Sequence, residues 1–251
     1  KKEIKEHEPF ISAELGLYVG CTGILSSYQY MNVLYNNSKN KNHDYLFKSS
    51  VIDIDPINTG YKLTIKNPNN DIETVTSEWI INAGGLQSDL IANLLSDTHN
   101  FPILTYSKGC YFKLSSEWTN RFKRLIYPIP DKIYNTLGIH LSFDENGQVK
   151  LGPDAHWMKN RKIDYTIDHN LLDIFFEKAS VYIKGLDKSH LSPDFSGIRP
   201  TIKPLDTKLS DFYISHEEKI GFPGLINLIG IESPGLTSAI AIGEEIAHWI
   251  K

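Results

Sequence analysis

The chain has 251 residues, a formal net charge of −4 and 41% hydrophobic residues, an ordinary globular composition able to bury a core in one large or two interleaved domains. The mild acidity argues against the basic stripe of a nucleic-acid surface, and no apolar run approaches the roughly 18 residues of a membrane span. The charged segment 1–10 is no signal peptide, it carries no initiating methionine, and the expected location is the cytoplasm. There Cys21 and Cys110, which lack CxxC spacing and a nearby histidine pair, are expected to be free thiols rather than zinc ligands, although sequence alone leaves a disulfide between them open.

In chain order, strand-like runs occupy 16–25, 51–56, 61–66, 78–83, 109–114, 125–130, 137–143, 148–152 and 225–231. Several alternate apolar and polar residues, as half-buried antiparallel strands do. The run 79–83 is continuously apolar up to Asn82, as in a strand covered on both faces. Helical spacing appears at 26–36, 88–95 and 169–183. The last helix starts near Pro234, with Ser233 suited to its N-cap and Pro234 to its first position. Polar turns at 67–71 and 144–148 each join two strand-like runs into a hairpin, and the polar stretch 36–44 reads as a loop. The expected class is mixed α and β, with an antiparallel middle flanked by strand–helix units.

Two turns could carry chemistry. At Asn82-Ala83-Gly84-Gly85 an apolar strand ends and a helix begins near Ser88 and Asp89. Small residues there let a backbone approach a ligand, and the helix start offers free N–H groups and the positive end of its dipole to an anion. The plain structural alternative is a tight turn that needs glycine only for packing. At Ile231-Glu232-Ser233-Pro234-Gly235-Leu236-Thr237 the same logic repeats, with amides able to stabilise charge on a reduced flavin. Arg199, between Ile198 and Pro200, is a fixed guanidinium suited to clamp a carboxylate, or else a structural ion-pair member. His156, His169, His190, His216 and His248 show no metal-like grouping, and no metal is expected.

These segments, taken together, resemble FAD-dependent oxidoreductases of the D-amino-acid oxidase superfamily, and within it the L-2-hydroxyglutarate dehydrogenase/oxidase group. The resemblance is carried by EPF at 8–10, GCTGI at 20–24, NAGGLQSD at 82–89, KGCYFKL at 108–114, IYPIPD at 126–131, LGIHLSFDENGQVKLGPDA at 137–155, GIRP at 197–200 and GLINLIGIESPGLTSAIAIGE at 224–244. Motifs in this order cover nearly the whole chain. The resemblance implies an α/β (α+β) two-domain FAD-dependent oxidoreductase architecture. Residues 26–99 and 222–251 would belong to an incomplete FAD-binding (Rossmann-like) domain, and 9–25 and 100–221 to a mostly antiparallel substrate domain. It implies FAD as cofactor, held by Val51, Ala83, Gly84, Gly85, Gly197, Arg199 and residues 231–237. The implied catalytic residues are His140 and Arg199, with Lys108 and Tyr111 joining Arg199 at the substrate.

The implied reaction is oxidation of a small hydroxyacid, L-2-hydroxyglutarate, to its 2-oxo acid, by hydride transfer to flavin. The electron acceptor, oxygen, quinone or a peripheral membrane partner, stays open. Two departures bear on this. No GxGxxG head, a unit of roughly 30 residues, is present, so a nucleotide-binding segment would have to be supplied in addition, and residues 1–251 alone are expected to bind FAD weakly or not at all. Cys21-Thr22-Gly23 stands where the group commonly has His-Thr-Gly. A catalytically silent fragment or split-gene subunit, and an amino-acid or amine oxidase of the same superfamily, are the competing readings.

Overall fold

A computed structural model describes residues 2–41, 43–95, 100–129, 138–202 and 211–250. In chain order its elements are α1 (Lys2–His7), α2 (Ser27–Lys39), β1 (Ser50–Ile57), β2 (Gly60–Lys66), β3 (Ile72–Ser77), β4 (Ile80–Asn82), α3 (Ser88–Ala92), β5 (Leu104–Leu114), β6 (Leu141–Phe143), β7 (Val149–Leu151), β8 (His156–Trp157), α4 (Leu171–Ser180), β9 (Leu191–Ile202), β10 (Tyr213–His216), β11 (Leu225–Ile229) and α5 (Gly235–Trp249). They form two compact units: Lys1–Asn37 with Ser107–Ile198, and Ser38–Tyr106 with Arg199–Lys251. The chain passes between them after Asn37, within β5 and within β9. Segments 26–37, 100–106, 199–202 and 211–221 therefore fall in the other unit from the one expected from sequence.

In the first unit, β5 is the central strand of the order β6-β7-β5-β8, and β9 also pairs with it. Being flanked on both edges, β5 buries residues on both faces, and Phe112, Leu114 and Cys110 are almost fully buried. The register Phe112↔Leu151 and Leu141↔Leu151 lines up three apolar side chains across β5, β7 and β6. Helix α4 covers this sheet through Phe175 and Ala179, with the Phe112 and Phe175 rings 4.5 Å apart. An N-terminal strap closes the unit, since Ile11 bridges Ile183 and Lys184 N–H donates to the Phe10 carbonyl.

In the second unit, β1-β2-β3 form an antiparallel meander and β10-β11-β4 a second sheet in which only the β11–β4 pair is parallel. Every residue of β11 is buried, as a central strand covered on both faces requires. Helix α5 returns over it and packs Ile246 against Ile226 and Leu228.

The hairpins at 67–71 and 144–148 form between β2 and β3 and between β6 and β7. Other expectations are corrected. Residues 16–25 form no strand: Leu17 is 93% exposed and no described segment pairs with them, so their apolar alternation meets no ladder partner. The run 125–130 is reduced to a single bridge, Ile126↔Leu141, before the described residues end at 129. Of 137–143 only Leu141–Phe143 is strand, and residue 137 lies outside the described residues. Helix α2 continues to Lys39 into the presumed loop. Strand β9 was missed because Pro193, Gly197 and Pro200 argue against a strand; pairing with β5 overrides that local preference.

Both cysteines are free, Cys21 exposed and Cys110 buried. Burial, helped by the negative charge of Asp154, pushes the Cys110 thiol up to about 11. At pH 8 roughly one such thiol in a thousand is a thiolate. A disulfide-exchange reagent should therefore titrate one equivalent of thiol in the native protein, and the second only after denaturation.

Candidate functional site

Strands β4 and β11 are parallel and in register, with Leu225↔Ile80, Ile226↔Ile81 and Asn227↔Asn82 paired. Their carboxyl ends consequently lie side by side, and each feeds a glycine-bearing turn into a helix. The two turns singled out in the sequence, Ala83–Gly85 and Ile231–Thr237, thus share one sheet edge of the second unit. In open α/β sheets that carboxyl edge is where ligands bind.

The first turn is exposed. Gly85 has φ 57° and an added Cβ would meet nothing within 4 Å, whereas a Cβ on Gly84 would come within 2.5 Å of Ile91 Cδ1. Gly84 is therefore fixed by packing and Gly85 by backbone conformation, with open space in front of it. Ser88 opens α3, as expected, and its hydroxyl donates to the Gly85 carbonyl at 2.9 Å. Asp89 is almost fully buried and accepts from the Leu104 and Leu90 amides at 3.0 and 2.9 Å. Because α3 has five residues, it carries little dipole, and the anion-binding argument applies instead to α5, which has 15.

The second turn closes when Gly235 N–H donates to the Glu232 carbonyl. Pro234, with ψ 36°, becomes the N-cap of α5, so the helix begins one residue later than expected and Ser233 does not cap it. The Pro234 carbonyl accepts from the Ser238 amide and from the Thr237 and Ser238 hydroxyls. The Leu236 and Thr237 amides have no acceptor among the described residues, and they face outward from the start of a four-turn helix. Beside them lies an open depression of about 370 Å³, lined by Asp211, Phe212, Glu232, Ser233, Pro234, Ser238 and Ile242.

Arg199 sits on β9 in the same unit. It is half-buried and has no hydrogen-bond or ion-pair partner among the described residues. Thr201, two residues on and so on the same face of the strand, donates its hydroxyl to Glu232 Oε2 at 3.3 Å. At about 3.3 Å per residue, Arg199 lies some 7 Å along the strand from that contact. Val51, half-buried at the start of β1, pairs with Ile65 beside a bulge in the outer sheet.

The remaining expected residues belong to the first unit. Lys108 Nζ donates to the Thr166 carbonyl, and Tyr111 stacks on Phe195 with ring centroids 4.3 Å apart. His140 lies just before β6, its carbonyl accepting from Gly152 N–H at 2.9 Å and its ring centroid 4.2 Å from that of Tyr127. Gly197 has open space where a Cβ would stand. His156, its side chain 54% exposed, pairs with Asp154 at 2.7 Å.

Sequence reasoning missed a buried polar chain beneath the turns. Asn82 Nδ2 donates to Asn227 Oδ1 at 2.8 Å, and Asn227 Nδ2 donates to Glu217 Oε1 at 3.0 Å. Tyr213 and Ser215 hydroxyls donate to Glu217 Oε2, each at 3.2 Å. Burial holds the Tyr213 hydroxyl above its ordinary range, the Glu217 charge adding to the effect. The available signal was an asparagine inside each of two apolar strands, Ile80-Ile81-Asn82 and Leu225-Ile226-Asn227.

Paired glycine turns at the carboxyl edge of parallel strands, with helix amides and a guanidinium that have no partner among the described residues, make an edge suited to an extended anionic ligand, as in α/β flavoproteins. A family model described as DAO, FAD dependent oxidoreductase, matches residues 1–249, and the chain belongs to that family. It is 40% identical over 179 residues to the mitochondrial L-2-hydroxyglutarate dehydrogenase of Arabidopsis thaliana, covering 67% of this chain and 37% of that protein. It is 28% identical over 253 residues to a glycerol 3-phosphate dehydrogenase of Caloramator mitchellensis, covering 100% of this chain and 49% of the relative. The chain thus spans half or less of the length of these relatives. Among solved structures it resembles L-proline dehydrogenase from P. horikoshii in fold, with a TM-score of 0.78 at 16% identity, covering 100% of this chain and 63% of that one.

The residues fit the family's FAD. The space before Gly85 and the two unpaired amides of α5 suit a planar group that bears negative charge. Gly85→Ala should lower stability by only about 1–2 kcal/mol, from the left-handed backbone, while reducing FAD affinity of the full-length protein at least tenfold by filling that space. Parallel denaturant unfolding and flavin-fluorescence titration would separate the two effects; equal affinity in both proteins would make the turn purely structural.

Proposed function

We propose that the protein carrying this chain oxidises a small 2-hydroxy acid, L-2-hydroxyglutarate, to 2-oxoglutarate with FAD as its cofactor. The carrying observation is Arg199, a half-buried guanidinium without a partner among the described residues, on the strand face that leads to the second glycine turn. Leaving such a group unpaired is costly unless a ligand anion completes it, and its fork matches a carboxylate through two parallel hydrogen bonds. The family membership and the 40% identical relative support the same reading.

FAD, when bound, supplies the two-electron acceptor. The chain's own groups then have separate tasks. Ala83–Gly85 and residues 231–237 hold the cofactor edge, and the Leu236 and Thr237 amides stabilise negative charge there. Arg199 orients the substrate carboxylate. Lys108, Tyr111 and His140 keep, within the first unit, the substrate-contact and proton-accepting roles that the resemblance implies.

Oxidation of glycerol 3-phosphate is a second reading, favoured by a relative that matches the whole chain. Both substrates place an anionic group near a secondary alcohol, and Arg199 would accept a phosphate as readily as a carboxylate. Anaerobic bleaching of the flavin in the full-length protein separates them: L-2-hydroxyglutarate should discharge the yellow colour, while glycerol 3-phosphate, glycine and sarcosine should leave it. Persistent colour with the hydroxyacid would sink the first reading, and persistent colour with all four would favour a silent protein. Arg199→Met should raise KM roughly tenfold to a hundredfold, the worth of hydrogen bonds to a charged group, while changing stability by less than about 0.5 kcal/mol because no internal partner is lost.

A further inference from the structure

The buried polar chain has a direction. An asparagine amide has one end that donates and one that accepts, and only its partners tell them apart. At one end of the chain stands Glu217, only 3% exposed, on which three donors converge: Asn227 Nδ2, Tyr213 OH and Ser215 Oγ. An ionised carboxylate only accepts, so it turns the Asn227 amino group toward itself and the Asn227 oxygen toward β4. That oxygen draws the Asn82 amino group, whose second hydrogen goes to the Ser88 carbonyl at 2.7 Å. The one group left to face the turn is Asn82 Oδ1, and it accepts from Gly84 N–H at 3.2 Å. From β10 across β11 to β4, every orientation follows from the one before.

We propose that Glu217 is a positioning residue of the cofactor site, acting through Asn227 and Asn82 to hold the Gly84 amide and so set the shape of the Ala83–Gly85 turn. Asn82 and Asn227 are 3% and 0% exposed, so water cannot readily replace a member of the chain. A reversed Asn82 would turn its amino group against the Gly84 amide, donor to donor, and would take from the Ser88 carbonyl its asparagine donor. The turn would then have to move. This inference rests on the reading that the turn faces FAD, but the relay itself can be tested without cofactor.

The experiment uses full-length protein carrying Glu217→Leu, Glu217→Gln, or Ile226→Ala as a control that loosens the same sheet without touching the polar chain. Amide hydrogen exchange at Gly84 is measured in the apoprotein and FAD affinity by titration. Glutamine can still accept from Asn227 while its amino group meets the Tyr213 and Ser215 oxygens, so Glu217→Gln should stay within about threefold of the parent protein in both readouts. Glu217→Leu should speed Gly84 exchange and weaken FAD binding, each at least tenfold. The control should not single out Gly84. If Glu217→Leu does not fold, Glu217→Ala, which likewise removes the acceptor that orients Asn227, takes its place with the same expectation. Unchanged Gly84 exchange, or equal damage in the glutamine and leucine variants, overturns the relay. Faster exchange with unchanged FAD affinity overturns its link to the cofactor site. A parent protein that binds no FAD refutes the functional reading instead, and Gly84 exchange alone then decides whether Glu217 sets the turn.

Discussion

The second unit is organised by one buried hydrogen bond, 2.8 Å long, between two asparagines 145 residues apart in sequence. It joins β4 to β11 in a parallel pairing. Parallel strands have aligned ends, so the register Asn82↔Asn227 places two glycine turns next to each other. Had these strands run antiparallel, the same turns would sit at opposite edges of the sheet. The polar pair also restricts sliding: a one-residue slip would break the Asn82–Asn227 hydrogen bond inside the sheet, a cost of about 1–3 kcal/mol for a buried group left unsatisfied.

The first unit is held together differently. Its core is apolar and centred on β5, whose buried residues meet α4 on one side and the β6–β7 hairpin in register. Polar contacts there serve mainly to tie loops down. Asp154, for example, accepts from the Cys110 amide at 2.6 Å and pairs with His156. Hydrophobic burial is non-directional, so such a core tolerates volume-conserving change, whereas the directional chain in the second unit accepts few substitutions at Asn82, Asn227 and Glu217.

Much of the local structure was legible in the chain. The hairpins followed from their turn residues, whereas the covering on both faces expected of 79–83 is found in β11 and not in β4, where Ile81 is exposed. Helices α2, α4 and α5 followed from spacing, with ends displaced by one to a few residues. What failed shows why. Residues 16–25 have the composition of a strand, but a strand exists only where a partner completes its hydrogen bonds. Strand β9 has the composition of a loop, yet a waiting partner in β5 made it one of the longest strands. In both cases the decision was made by pairing rather than by propensity.

The candidate site divides the same way. By itself the sequence determined the parts: two glycine turns, an arginine between Ile198 and Pro200, a helix start, and an ordered set of motifs that marks the FAD-dependent oxidoreductase family. These are local features, written within a few residues each. Only the tertiary structure decided that the turns share one edge, that Arg199 has no partner for its guanidinium among the described residues, and that Glu217 reaches the first turn through two asparagines. Those facts depend on contacts between distant segments, whose closure is driven by burial of the sheet as a whole, and no window of the sequence contains them.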